Sequence, residues 1–198
     1  MSMHRKIEKN FWWPTPLWHV VLKEFKTHPT RVNYNDDLFS YGIGLREKGK
    51  GVRKSNVGGW QSDLLNPNEE VKPLCDEIFD VLKNLELGIN NIEIPQIWMN
   101  INQRGDWNII HQHGYFHISG IYYVKYPKDS GKIGFKDPRP AAMGNSFFIE
   151  RFDGSELKTV DTVQEGSLLL WPSYLEHFVE PSRSDEERMS ISFDIVIK

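Results

Sequence analysis

The spacing of apolar residues changes character twice along the chain. Residues 11–25 are densely aromatic and apolar: Phe11, Trp12, Trp13 and Pro14, then Leu17 to Phe25. Their prolines and the Val20-Val21 pair favour an extended first strand over a helix. Between 68 and 86, Val71, Leu74, Ile78, Val81, Leu82 and Leu85 recur at spacings of three and four, which predicts one amphipathic helix. Asn66 or Asn68 is placed to cap it, Glu69 and Glu70 suit its first turn, Pro73 kinks or delays its start, and Gly88 ends it. From about residue 94 the period becomes two. Strands are expected near 96–103, 107–113, 118–126, 132–136, 145–151, 157–163, 166–171, 175–180 and 188–197. Turn residues separate them, among them Arg104-Gly105-Asp106, Lys128 to Gly131, Asp153-Gly154 and Glu165-Gly166.

Many short strands at even spacing imply a closed or two-sheet β structure. The fold class expected is α+β, mainly β, with residues 1–93 supporting a β core of 94–198 in a single domain of 198 residues. The run Arg46 to Lys54, rich in Lys, Arg and Gly, reads as a mobile solvated loop or as a lid over an anionic ligand.

Composition narrows the function classes. A formal net charge of −3 argues against a general nucleic-acid binder. The only cysteine, Cys75, excludes an internal disulfide and reads as a packed bystander. The first ten residues lack the apolar run of a signal peptide and no stretch approaches a membrane span, so a soluble cytoplasmic protein is expected. Exposed aromatics near Phe11 to Trp13 would suit a homodimer.

Chemistry enters with His111-Gln112-His113. Residues two apart on a strand share a face, so both imidazoles can meet one ion. His177, after the apolar strand Leu168 to Trp171 and the turn Pro172-Ser173-Tyr174, is the third candidate. Imidazole suits iron, zinc, nickel and copper. Structural, hydrogen-bonded histidines are the plain alternative. His117 is a nearby rival, although Gly114 and Tyr115 break the register before it, and His4, His19 and His28 have no such partners. The acids considered for a carboxylate ligand are Asp106, Asp137 and Glu176; none is spaced correctly, which leaves three imidazoles.

The last strand alternates cleanly. Met189, Ile191, Phe193, Ile195 and Ile197 form one face, and Arg188, Ser190 and Ser192 the other. In a barrel the second face turns inward, where a guanidinium grips a carboxylate by two parallel hydrogen bonds and a hydroxyl adds another donor. The alternative pairs Arg188 with a surface acid such as Glu186.

Several segments together carry a resemblance. They are His111 to His113, Ile118 to Val124, Gly131 to Arg139, Gly166 to His177, Arg188 to Phe193 and, upstream, Ser55 to Ser62. In this order they resemble the 2-oxoglutarate-Fe(II) oxygenase family of small bacterial and phage proteins related to prolyl hydroxylases. The resemblance implies a double-stranded β-helix, a jelly-roll or cupin-like barrel. It implies Fe(II) on His111 and His177, with His113 where the wider superfamily has Asp or Glu. It implies 2-oxoglutarate as co-substrate, its far carboxylate held by Arg188 and Ser190, with a hydroxyl from Tyr122 or Tyr123 and with Asn100 and Asn102 lining the cavity. Arg139 either meets substrate or ties down the Asp137-Pro138 turn. The expected reaction is hydroxylation of a small-molecule or peptide substrate. A three-His zinc hydrolase or hydratase, a three-His iron dioxygenase without 2-oxoglutarate, and a non-catalytic barrel that binds a partner are the competing readings.

Overall fold

A computed structural model describes residues 15–23, 33–66, 70–85, 87–139 and 156–198. The expected strand at 145–151, the Asp153-Gly154 turn, the Asn68 cap and the aromatic cluster at Phe11 to Trp13 lie outside these described residues. The elements run β1 (Trp18–Val21), α1 (Tyr34–Lys48), β2 (Asn56–Val57), β3 (Trp60–Gln61), α2 (Lys72–Asn84), β4 (Ile92–Asn102), β5 (Trp107–His111), β6 (Ile118–Lys125), β7 (Ile133–Lys136), β8 (Leu157–Thr159), β9 (Ser167–Pro172), β10 (His177–Val179) and β11 (Arg188–Ile197). They build two antiparallel sheets, ordered β1-β9-β6-β11-β4-β3 and β2-β5-β10-β7-β8. From β4 to β7 the chain alternates between sheets, and it does so again from β8 to β11. That is the winding expected of a double-stranded β-helix, and the mainly β, two-sheet fold class holds.

The first sheet carries the core. Met189, Ile191, Phe193 and Ile195 from β11, with Ile97, Met99 and Ile101 from β4, are at most 1% exposed and pack against Leu38 of α1 and Leu74, Ile78 and Leu82 of α2. Each such side chain contributes roughly 1.5–3 kcal/mol on burial. The opposite face of the same sheet looks toward the second sheet, where Ile121, Tyr123, Leu169 and Trp171 meet Ile133 and Phe135. Every residue of β6 or β11 therefore faces either helices or barrel interior, and alternation decides which.

Two local features explain boundaries that differ from expectation. β4 starts at Ile92, earlier than the expected 96, and contains Pro95. Its pairing with β11 slips between Asp194↔Gln96 and Val196↔Glu93, a bulge at the residue that has no N–H to offer the ladder. α2 begins at Lys72 with Pro73 in its first turn and no side-chain cap, so Asn66 is not used. Helix α1 has no counterpart among the predicted elements: two glycines and an irregular apolar spacing hide it. Gly42 is there for contact, since a Cβ would lie 2.7 Å from Met189 Cε. The basic run is corrected in part, because Arg46 to Lys48 form the last turn of α1 and Arg46 pairs with Glu187 at 2.6 Å. Among the described residues no helix is long and apolar enough to cross a membrane.

Candidate metal centre

β10 lies between β5 and β7, and its register sets His177 directly opposite His111. The two rings are 4.3 Å apart, centroid to centroid. β5 ends at His111, so His113 stands just beyond the strand and not on it as expected. Its main-chain N–H donates to Ser173 O at 2.9 Å, which keeps the turn against the end of β9. Its ring lies 5.2 Å from that of His111 and 5.1 Å from that of His177. One nitrogen from each of the three histidines lies within 4.8 Å of the others.

The remaining nitrogens decide which atoms are offered. His111 Nδ1 is 2.8 Å from Ile109 O and His177 Nδ1 is 3.0 Å from Leu175 O. His113 Nδ1 is 2.8 Å from Asp194 Oδ1. Carbonyl and carboxylate oxygens only accept, so each Nδ1 carries the proton and each Nε2 keeps its lone pair. Burial, reinforced by the neighbouring His111 charge, pushes the His177 imidazole down to about 3. Burial also lowers His111, against the opposing pull of its bond to Ile109 O. Neutral imidazoles with free Nε2 atoms are what a divalent transition metal requires.

The rival ligands are accounted for. His117 Nδ1 accepts from Ile197 N–H at the far end of β11, and His19 contacts Ser167 Oγ. Glu176 pairs with Lys136, Asp137 with Arg139, and Asp106 accepts from the Gln103 main chain. Arg139 thus ties down its own turn, with three bonds to Asp137.

A cavity of about 730 Å³ opens from the three histidines, walled by Asn100, Asn102, Arg188, Ser190, Ser192 and Asp194 from β4 and β11. Arg188 is 2% exposed. Its Nη1 donates to Ser130 O at 2.7 Å and Gly131 O at 2.9 Å, and its Nε has no partner among the described residues. Among the described residues it forms no ion pair, and Glu186 is occupied by Lys125 at 3.0 Å. A buried guanidinium without a counter-ion is costly unless an anion completes it. The hydroxyl of Tyr123, which feels the Arg188 charge, is likewise buried and has no partner among the described residues. Tyr122 is a correction: one residue along β6 it faces the helices, and its hydroxyl donates to Asn35 Oδ1 at 2.7 Å.

Two features of the site have no counterpart in the sequence reading. Asp194 continues the inward alternation of Arg188, Ser190 and Ser192 by one more step, a signal that was available. Trp171, 4.9 Å from His177 ring to ring, has a buried indole N–H without an acceptor among the described residues. Nothing in the sequence pattern singled out this tryptophan from six others.

The model of the family described as "Putative 2OG-Fe(II) oxygenase" matches residues 96–194, half of the chain. No curated protein matches the sequence. Among solved structures, a Pseudomonas putida prolyl-4-hydroxylase superposes with a TM-score of 0.60 at 15% identity, over 93% of this chain and 94% of that one. The viral collagen prolyl hydroxylase from Paramecium Bursaria Chlorella virus-1 gives 0.59 at 12% identity, over 90% and 94%. HygX from Streptomyces hygroscopicus, solved with nickel and 2-oxoglutarate bound, gives 0.63 at 11% identity, over 93% and 83%. At such identities these likenesses establish the shared fold.

Proposed function

This chain belongs to the 2-oxoglutarate-Fe(II) oxygenases, and on that premise we propose that His111, His113 and His177 hold the iron while Arg188, with Ser190 and Tyr123, holds the far carboxylate of 2-oxoglutarate. The observation that carries this reading is a buried guanidinium that forms no ion pair among the described residues, in the same cavity as three imidazoles whose Nε2 atoms are left to face an ion. A short dicarboxylate fits between a cation at one end and a metal at the other. The bound metal would supply oxygen activation coupled to decarboxylation of the oxo acid to succinate, with hydroxylation of a substrate C–H bond.

The protein's own contribution is orientation and exclusion. The main-chain carbonyls of Ile109 and Leu175 fix two imidazoles in the tautomer that offers Nε2. The carbonyls of Ser130 and Gly131 clamp one edge of the Arg188 guanidinium, leaving Nε and the rest of the fork toward the carboxylate. Asn102, 3% exposed, lines the same wall. Phe135 and Trp171 close over His177 and keep bulk water from that side of the site. The substrate is a small molecule or a peptide: a prolyl hydroxylase neighbour from Trichoplax adhaerens was solved with a peptide fragment, and HygX with hygromycin B.

The direct test is anaerobic titration of the Fe(II)-loaded protein with 2-oxoglutarate, followed by oxygen and assay of succinate. Binding in the micromolar range with a metal-to-ligand absorption band, abolished in His111→Ala and His177→Ala, is expected. Absence of both the band and calorimetric heat from the loaded wild-type protein refutes the assignment.

A further inference from the structure

The three histidines are not held alike. His111 and His177 each donate Nδ1–H to the carbonyl two residues before them, a neutral acceptor. His113, by contrast, donates to a carboxylate. That carboxylate, Asp194, is 1% exposed on the cavity face of β11 and pairs in register with Ser119.

Its setting is a chain of hydrogen bonds that leads back to His113 through Ser173. Ser119 Oγ donates to the same Asp194 Oδ1 at 2.6 Å. A hydroxyl has one proton, so across the 2.8 Å gap to Ser173 Oγ it is Ser119 that accepts. The main-chain carbonyl of Ser173 accepts the His113 main-chain N–H at 2.9 Å. Asp194 and Ser173 together grip His113 by both its imidazole and its backbone. Among the described residues no lysine or arginine pairs with Asp194; its only ion-pair contact is His113 itself. A buried carboxylate lacking a cationic side chain is unfavourable unless positive charge lies nearby. The free Nε2 of His113 points that need at a metal ion on the far side of the imidazole.

We propose that Asp194 is the displaced acid of this metal centre: it acts through His113 as a positioning residue, supplies the negative charge that a three-imidazole set lacks, and sets the affinity for the divalent metal. The inference rests on the metal reading above. It gives the neutral ligand at position 113 a carboxylate one imidazole away.

The test is anaerobic calorimetry of the full-length, metal-stripped chain with Co(II), with the visible d–d spectrum as second readout and circular dichroism to check the apo fold. Asp194→Asn and Asp194→Ser are expected to weaken Co(II) binding by about 10–100-fold. The double variant His113→Asp with Asp194→Asn puts the carboxylate back at the ligand position and is expected to return affinity to within about fivefold of wild type. A change under threefold in a folded Asp194 variant overturns the proposal, and so does a folded double variant no tighter than Asp194→Asn. If either single variant fails to fold, the other carries the first comparison, and the double is then read against it. Failure of the wild type to bind Co(II) removes the metal centre itself, an outcome distinct from retained binding in the variants.

Discussion

Arg188→Met isolates the carboxylate clamp. Methionine fills a similar length of the cavity wall without charge or donors. In the wild type the guanidinium has Nη1 committed to two carbonyls and Nε uncommitted, so a ligand carboxylate gains two charge-assisted bonds from the remaining edge. Each such bond is worth about 1.5–3 kcal/mol, which gives roughly 3–6 kcal/mol for the fork. At about 1.4 kcal/mol per tenfold, affinity for 2-oxoglutarate should fall on the order of 10²–10⁴-fold. Stability should move far less. Two carbonyls lose a donor, at about 1–3 kcal/mol each, but several kcal/mol of cation burial is relieved. The assay is anaerobic calorimetry of 2-oxoglutarate on Fe(II)-loaded protein, with thermal melts of the metal-free form as control. Arg188→Lys, a point charge without the planar fork, should fall between the two. A dissociation constant for Arg188→Met within threefold of wild type, with metal bound normally, would falsify the clamp.

Other expectations follow from the same geometry. Tyr123→Phe should weaken 2-oxoglutarate binding about tenfold with little change in stability, because its hydroxyl has no protein partner; Tyr122→Phe should do the reverse, losing the bond to Asn35 and leaving co-substrate affinity unchanged in the same titration. The metal-free protein should lose stability on acidification. The His177 imidazole sits near 3 when folded and 6.5 when unfolded, so the unfolded chain binds the extra proton as pH falls from about 6.5 towards 3. The loss is about 1.4 kcal/mol per pH unit for that histidine. Urea midpoints across that window should show a shallower pH slope in His177→Gln, and equal slopes would contradict the assignment. Gly131→Ala should destabilise on the order of 3 kcal/mol and impair 2-oxoglutarate binding, since φ is +82° and a Cβ would lie 2.2 Å from Glu180 O; an unchanged melting temperature would count against the turn as the base of the Arg188 cradle. Cys75, its thiol pushed up to about 11 chiefly by burial, should resist alkylation at pH 8 in the folded protein and react on unfolding, as mass spectrometry of iodoacetamide-treated samples would show.

What the amino-acid pattern could express, and what it could not, separates along one line: alternation reports the face of a residue but not its neighbours across the barrel. The period-two run Arg188 to Ile197 placed the arginine and Ser190 inward correctly because one face was uniformly apolar. The same rule, applied to adjacent tyrosines in β6, where every residue from Ile118 to Val124 is buried, had no polar face to distinguish. Only the pairing of Tyr123 with Ser190 and the contact of Tyr122 with Asn35 separate them. Helix α1 was hidden for a related reason. It buries Tyr34, Leu38 and Gly42, and a glycine that exists to admit Met189 leaves no trace in an apolar count.

Asp194 shows where a local search for ligands goes astray. The acids nearest the histidines in sequence, Asp106, Asp137 and Glu176, each satisfy a turn or a surface pair. The relevant acid lies 81 residues from His113 in sequence and meets it because β11 runs beside β6, the strand that the His113 turn leads into. Its inward orientation could be read from the strand it shares with Arg188; its partner could not. Metal ligands must converge on one point, so their spacing is constrained by one or two strands. A carboxylate acting through an imidazole need only reach the outer nitrogen, from any strand that passes behind it. The residue at a ligand position should therefore be judged together with the buried acids on the strand behind it, and here His113 and the buried Asp194 form one arrangement of charge.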